Sequence, residues 1–482
     1  MKSRTTVVII GAGPVGMTAA VGLLRLGVQV RVLEQSTERQ TGSRAVQLWP
    51  PALEIFGRLG IRDEAVRLGV TVRANVYELA GGRTLRVALG AENEPLLLPQ
   101  EQTTRLLEEA LERLGGKVER GVRFTDLVPG TDSVTVEVTG PSGVELVEAD
   151  WVIGADGVRS AVRERLGVEF PGRAVPTTLI LAEGRFAGDF GEGAVHYFLG
   201  RGGSLVFGPL PGGRVRVSAP IPPDLPVSAA GVQRLLDERG PGGIEVLELD
   251  HLTTFASAER IAARLRHGRA FLVGDAAHTH SPLGGQGLNL GLQDADNLTW
   301  RLAGVIRGRF RPAVLDGYAV ERRQAAEQVV AMTGRMLKVF MLGPVGSRVR
   351  NALWGALERT GALRRRFVPL LAGRNVRYTD ELLRVPSPAA EVGRAPHWVP
   401  AWDGDGRLRL LTTGPATSAL VADASALADR NPRLVEHDHL DGRPPGFLVL
   451  RPDGFVAASG TRPAQLVAVE AGLRALGGDD VR

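Results

Sequence analysis

The segment Val7-Val8-Ile9-Ile10-Gly11-Ala12-Gly13-Pro14-Val15-Gly16 leaves this chain few ways to begin. Four β-branched residues in a row suit a strand covered on both faces. Gly-x-Gly-x-x-Gly follows at once, then an apolar helix to Leu26 and a second strand, Val28 to Leu33, that ends in Glu34. In a dinucleotide-binding βαβ unit the glycines permit a tight turn and the approach of a pyrophosphate to the helix N-terminus. The acid after the second strand then reaches a ribose hydroxyl. Pro14 suits the first helical position, where no backbone N–H is required. The glycine string is a weak signal alone, but with strand, helix and acid in place it reads as a nucleotide site.

Two later stretches repeat the theme of a strand running into a glycine-containing turn. Trp151-Val152-Ile153-Gly154-Ala155-Asp156-Gly157 reads as a strand ending in Asp-Gly, followed by a helix with Arg159 and Arg163 four apart on one face. Phe271-Leu272-Val273-Gly274-Asp275 is a short apolar strand that stops at an acid, where ligands sit in open α/β sheets. Pro282 and Gly284-Gly285-Gln286-Gly287 then open a helix through Leu288, Leu292, Ala295 and Leu298. Bare N–H groups, the helix dipole and missing Cβ atoms make such a loop an anion site. The alternative is an ordinary strand-loop-helix joint.

Together the three stretches resemble the class A flavoprotein aromatic monooxygenases, the para-hydroxybenzoate hydroxylase fold, and within it the polyketide-tailoring hydroxylases of actinobacteria. The resemblance spans the whole chain. It implies an α/β protein with a Rossmann-like FAD-binding domain, an inserted, mostly antiparallel β-sheet substrate domain and a C-terminal thioredoxin-like α/β domain. It also implies that Gly11, Gly13, Pro14, Gly16 and Glu34 hold the ADP half of FAD. Gly274 and Asp275 would reach the ribityl or ribose part, and Pro282, Gly284, Gly285, Gly287, Leu288 and Asn289 would face the isoalloxazine. Asp156, Gly157 and Arg159 belong to the fingerprint that the family links to both FAD and NADPH. An Arg at the place of Arg44 lies against the flavin in the family, so Arg44 is a candidate contact, the alternative being a solvated surface side chain. Catalytic candidates are Arg44, His278 and Pro282, with no catalytic residue assigned. By the resemblance Gln100 would reach the flavin's ribityl edge, with Gln102 a substitute; Thr104 and Arg105 depart from the family, which often carries an acid there.

The domain boundaries expected are 1–175 for the first part of the FAD-binding domain, with 70–99 contributing to the substrate domain, 176–258 for the substrate sheet, 259–385 for the second FAD part and long helices, and 394–482 for the tail. A Gly81-Gly82 hairpin lies between Val70 and Leu89, and Lys117 to Asp150 reads as a pair of strands turning at Gly140 to Gly143. Helices are expected near Ala229 to Arg239 and over Ala313 to Leu342. His196, Tyr197, Phe198, Phe207 and His251 are candidates to line a substrate pocket between sheet and flavin, the alternative being sheet core or exposed edge. His278 and His280 flank the glycine loop as a proton relay or, the favoured reading, as braces.

Composition excludes other classes. The chain has 482 residues and a net charge of +5 from 58 basic and 53 acidic side chains, a weak field with no basic run interleaved with aromatics, so no nucleic acid is expected. Cysteine is absent, which removes disulfides, thiolate metal sites and redox relays. No metal is expected, since His437-Asp438-His439 lacks a further ligand at metal spacing. No stretch approaches the ~18 apolar residues of a membrane span, and the apolar run after Lys2 and Arg4 meets glycines rather than a cleavage site. The expectation is a cytoplasmic protein with no membrane partner.

By resemblance, the activity is an FAD-dependent monooxygenase that consumes NADPH, with NADH the alternative, and molecular oxygen. It would hydroxylate a polycyclic aromatic, polyketide-type phenol through a flavin C4a-hydroperoxide in secondary-metabolite biosynthesis. Only one Gly-x-Gly-x-x-Gly follows a strand, so the nicotinamide cofactor is expected as a transient visitor. Baeyer-Villiger insertion or epoxidation remain alternatives, as does a flavin-binding partner protein without turnover. A flavin halogenase fits poorly, because Trp398-Val399-Pro400-Ala401-Trp402 departs from the halogenase pattern and the lysines are Lys2, Lys117 and Lys338 alone. Without cysteine the tail is expected to be structural or to support a homodimer.

Overall fold

The computed structural model describes residues 2–39, 45–79, 82–188, 193–200, 203–340, 342, 344–379, 382–383, 392–399 and 404–478. Its first sheet is built on the strand Lys2–Ile10, which pairs in parallel with Val30–Glu34 on one side and Gly143–Gly154 on the other. Val118–Arg120 extends the sheet beyond Val30–Glu34, and Ala270–Leu272 extends it beyond Gly143–Gly154. Val7, Val8 and Ile9 are wholly buried, each adding about 1.5–3 kcal/mol through removal of its side chain from water. Helix Pro14–Arg25 covers one face and meets helix Gln286–Ile306 at small residues: a Cβ on Gly22 would lie 3.2 Å from the Thr299 hydroxyl, and one on Gly291 2.7 Å from Val15.

The second sheet runs His278–Thr279, Glu245–Ile261, Gly172–Ala187, Arg214–Ile221, Gly203–Leu210, Ala194–Gly200, Ala74–Leu79 and Arg83–Ala88. It is antiparallel except where Ala194–Gly200 runs parallel to Ala74–Leu79. The hairpin 74–88 thus joins a sheet whose other strands come more than 80 residues later. One face of the sheet carries helix Ala229–Arg239, whose Val232, Leu235 and Leu236 pack on Phe198, Phe207 and Val217. The other carries Tyr77, Val195, Tyr197 and Val206 against Trp354, Phe340 and Leu97.

The tail forms a third sheet, ordered Val435–Leu440, Leu408–Thr413, Gly446–Leu450 and Val456–Gly460, with helices Ala419–Arg430 and Ala464–Leu476. The chain is therefore mixed α/β, as the sequence implies. Two local expectations change. Lys117 to Asp150 holds more than a pair of strands, because Gly121 at φ +70° ends Val118–Arg120 before Arg123–Pro129 turns antiparallel to Val134–Gly140. The long helix starts at Asp316, after a 3-10 turn at Pro312–Leu315, and ends at Phe340. Among the described residues no single helix is long and apolar enough to cross a membrane.

Candidate functional site

The first sheet brings three strand ends together at its carboxyl edge. Ile10 lies opposite both Leu33 and Gly154, and Gly154 opposite Leu272. The three glycine-containing turns are consequently neighbours, although they are separated by more than a hundred residues each. Gly11 shows how close the backbones come: at φ +103°, a Cβ there would sit 2.5 Å from the carbonyl oxygen of Ala155. Gly16 is equally constrained, since its Cβ would lie 2.1 Å from the Gly11 carbonyl oxygen. Gly13 differs, because a Cβ there would meet open space. It caps helix Pro14–Arg25 with no side chain bonded to the first turn, so the helix presents bare donors into that space.

Glu34 is fixed beside it. Its Oε2 accepts from the Ala12 N–H and its Oε1 from the Ser36 N–H, each at 2.9 Å. Asp275 stands exposed at the end of the third strand, after Gly274 at φ +60°. Asp156 faces inward instead: Oδ1 accepts from the Ser160 hydroxyl, and Oδ2 accepts from the Val162 N–H at 3.0 Å, closing the helix Ala161–Arg165. Burial raises its pKa, partly countered by those same bonds. Arg159 is exposed, whereas Arg163 is buried and donates to the Ala276 and Val158 carbonyls, tying the second turn to the third.

The glycine loop is pinned by hydrogen bonds from both sides. Pro282 is helical, Gly284 and Gly285 take φ +78° and +62°, and Gly285 caps helix Gln286–Ile306 without a side-chain bond. Asn289 is 1% exposed; its Oδ1 accepts from the Trp49 N–H and its Nδ2 donates to the carbonyls of Gln47 and Gly285. Its side chain therefore holds the loop, leaving backbone to face a ligand. The Trp49 indole donates to the Gly284 carbonyl at 2.8 Å and Gln286 to that of Leu371 at 2.7 Å. Gly287 and Leu288 lie in the first turn of this helix, partly exposed. Gln100 starts helix Gln100–Arg113 and accepts from the Ala45 N–H at 3.2 Å. Arg44 lies outside the described residues.

Behind the loop sits a carboxylate that sequence reasoning passed over. Asp294, fully buried, accepts from the Gly274 N–H, His278 Nε2 and Arg322 Nε at 2.9, 2.6 and 2.6 Å. Burial works against its charge, but His278 and Arg322 outweigh burial and hold the carboxyl below the usual range. His278, 2% exposed, is thereby engaged as a brace. His280 is different: its Nδ1 lies 2.8 Å from the Ser281 carbonyl while the buried Nε2 has no partner, next to Gly287. Burial pushes its pKa down to about 4.

The substrate-lining candidates divide by strand parity. Tyr197 stacks on Tyr77 at 5.0 Å between centroids, on the face that carries Val46 and Leu97, next to Gln47 and the loop. His196, Phe198 and Phe207 point to the opposite face, towards helix Ala229–Arg239, and do not line that side. His251 is opposite Glu183, on the loop side. In the tail, the Thr412 hydroxyl sits between His437 Nε2 and His439 Nδ1, and among the described residues no cluster of ligand-type side chains suits a metal.

An open helix N-terminus, an acid pinned at the second strand end and a left-handed glycine loop at the third together fit a flavin dinucleotide. Comparison with known proteins agrees. A family described as FAD binding domain matches residues 4–333. The chain is 33% identical to 6-methylpretetramide 4-monooxygenase of Streptomyces rimosus, over 95% of this chain and 91% of that protein. It is 33% identical to a rifampicin monooxygenase of Streptomyces venezuelae, over 96% and 97%. The solved structure of OxyS anhydrotetracycline hydroxylase from Streptomyces rimosus superposes with a TM-score of 0.78 at 28% identity, covering 98% of this chain and 99% of that one.

Proposed function

The chain belongs to the FAD binding domain family and is a flavin-dependent aromatic monooxygenase of the class A fold, and on that premise we propose that it consumes NADPH and molecular oxygen to hydroxylate a polycyclic, polyketide-type phenol. The observation that carries this reading is the meeting of three glycine turns at one sheet edge, Gly11 to Gly16, Ala155 to Gly157 and Gly274 to Asp275.

FAD, when bound, supplies the reduction of oxygen and the transfer of one oxygen atom to the ring. The chain's own residues bind, orient and exclude water. The first-turn N–H groups after Gly13 would neutralise the pyrophosphate, and Glu34 would accept from a ribose hydroxyl. Asp275 would accept from a hydroxyl of the ribityl or ribose part, and the backbone from Gly284 to Leu288, held by Asn289 and Trp49, would bind the flavin ring. Gln100 would reach the ribityl edge of the same group, and Arg44, outside the described residues, is the candidate for a further flavin contact. Tyr77 and Tyr197 belong to the apolar wall that keeps the reacting ring dry. No second strand-linked Gly-x-Gly-x-x-Gly occurs in the sequence, so NADPH docks transiently from a groove.

Residues 1–175 and 259–385 are assigned to the FAD-binding unit, with 70–99 joining the substrate sheet of 176–258, and 394–482 to a structural or dimerising tail. The test is an absorbance spectrum of the purified protein, then NADPH addition with and without a panel of polycyclic phenols. A flavin spectrum with phenol-stimulated NADPH oxidation is expected; a flavin-loaded protein that oxidises no NADPH with any phenol overturns the turnover assignment.

A further inference from the structure

Helix Pro344–Arg359 has two faces of unlike kind. On one, Trp354 is buried and stands edge-on to Tyr77 with ring centroids 5.1 Å apart, and Leu357 packs in the same apolar cluster. A Cβ on Gly355 would collide with the Arg83 guanidinium, and Arg350, buried on this side, donates to the Val339 carbonyl. This face is therefore seated on the side of the second sheet that carries Tyr77 and Tyr197.

The opposite face is apolar and open. Val345, Val349 and Leu353, four residues apart and so in one row, are 72%, 64% and 55% exposed. Ala352 and Ala356 are exposed beside them. Among the described residues every other helix shows at most one exposed large apolar side chain. Single exposed valines are ordinary, whereas a contiguous row marks a surface that something covers.

Charge and the lack of polar groups select the partner. From Leu342 to Phe367 six arginines stand against Glu358 alone, six minus one giving +5, as much as the net charge of the whole chain. Arg348 and Arg359 are exposed along one flank of the row, and Arg364, Arg365 and Arg366 are exposed just beyond the helix. Two copies docked row to row would bring both sets of arginines together with one carboxylate each to offset them, which opposes self-association. The row itself, from Val349 through Ala352 and Leu353 to Ala356, carries no hydrogen-bonding side chain. A protein partner is fixed by polar contacts as well as by shape, but a lipid surface needs none. Acyl chains would take the valines and the leucine while anionic headgroups meet the arginines, the arrangement by which an amphipathic helix lies in a membrane interface.

We infer that the outer face of helix Pro344–Arg359, with Arg364 to Arg366 beside it, seats this protein on an anionic lipid surface. The contact is shallow and reversible and spans nothing, and it replaces the sequence-based expectation of no membrane partner. It also has a geometric consequence: the helix that touches lipid with Val349 and Leu353 touches Tyr77 with Trp354, so the apolar wall lies one helix away from the lipid, where an apolar polycyclic phenol concentrates. That consequence rests on the aromatic-hydroxylase reading; lipid binding does not.

The experiment is flotation of the FAD-loaded protein with vesicles of phosphatidylcholine alone and of phosphatidylcholine with phosphatidylglycerol, at low and at raised salt. The wild type is expected to partition into the mixed vesicles at least about tenfold more strongly than into the neutral ones, and to lose part of that advantage as salt rises. Val349→Ser/Leu353→Ser and, separately, Arg364→Gln/Arg365→Gln/Arg366→Gln should each lower partition into the mixed vesicles by about tenfold or more. Both variants change exposed side chains and should keep the flavin spectrum and melting temperature of the wild type. Absence of flotation by the wild type overturns the inference, as do equal partition into both kinds of vesicle and a variant that floats as the wild type does. A wild-type dimer in light scattering that Val349→Ser/Leu353→Ser splits, with no vesicle binding, also overturns it and makes the row a self-interface. Turnover does not enter the readout, so failure of the hydroxylase reading shows separately, in the NADPH assay.

Discussion

Buried charge lies on both sides of the glycine loop, but it is treated differently. Behind the loop Asp294, Glu321 and Asp453 are each held by several protein donors. Asp294 has Gly274, His278 and Arg322, and Arg322 in turn bonds Tyr378 and Leu290. One helical turn further, Glu321 binds Arg301 and Arg451, while Asp453 accepts from Asn297, Trp300 and Arg451, which ties the tail to helices Gln286–Ile306 and Asp316–Phe340. In front of the loop the polar groups are less fully engaged. Glu183 and Arg216 pair across neighbouring strands, His280 Nε2 is buried without a partner, and Gly13 faces open space. Saturation marks groups that build the scaffold; incomplete engagement marks those turned towards a ligand.

The sharpest way to break that division is Asp294→Ala. It strands a buried arginine and a buried histidine, so unfolding in urea should show a loss of about 3–5 kcal/mol. A loss below about 1 kcal/mol would mean the region behind the loop is not the scaffold. Gly13→Val makes the opposite demand. Its φ of −68° is ordinary and its Cβ direction is open, so the apoprotein should fold with near wild-type stability while FAD affinity falls by at least about 100-fold, ~2.7 kcal/mol, through contact with the pyrophosphate. A Gly13→Val protein that purifies with a full flavin spectrum would refute the loop's role. Asp275→Ala should act in the same direction but less, about 1.5–3 kcal/mol for one bond to a charged acceptor, read as a raised FAD dissociation constant at unchanged melting temperature of the apoprotein.

The two sides of the loop were also unequally legible in the sequence. Strand runs, glycine turns and strand-end acids are local signals, and Gly11, Gly16, Glu34 and Asp275 stand at the shared edge that those signals imply. Trp49 and Asn289 meet across 240 positions, and nothing local announces that. Asp294 did leave a trace: it lies one turn from Leu290 and Leu298 on an otherwise apolar stripe, where an acid needs buried partners. For the sheet, alternation separates Tyr197 from His196 and Phe198, but parity alone does not say which set faces the loop. Pairing of Ala194–Gly200 with Ala74–Leu79, and packing against helix Ala229–Arg239, decide it. Asp156 is legible as part of the Asp-Gly fingerprint, but its bonds to Ser160 and the Val162 N–H at the start of helix Ala161–Arg165 are not.

His280 gives the finest test, because it sits between the two regimes: Nδ1 is engaged with the Ser281 carbonyl, whereas Nε2 has no partner. Its folded pKa is depressed to about 4 by burial first, with His278 adding to the depression and the Ser281 carbonyl and Glu259 opposing it. In the unfolded chain the same ring titrates near 6.5. Above pH ~6.5 both states are neutral and the ring contributes no pH dependence. As pH falls from about 6.5 to about 4, the unfolded chain takes a proton that the folded one refuses, and stability drops by at most about 1.4 kcal/mol per pH unit. His280→Gln cannot take that proton, so the difference in unfolding free energy between wild type and variant should change across this window and be flat above it. Parallel curves from pH 7 to 4 would show that the ring is already protonated or solvated in the folded protein, and would move His280 from the ligand side of the loop to the scaffold side.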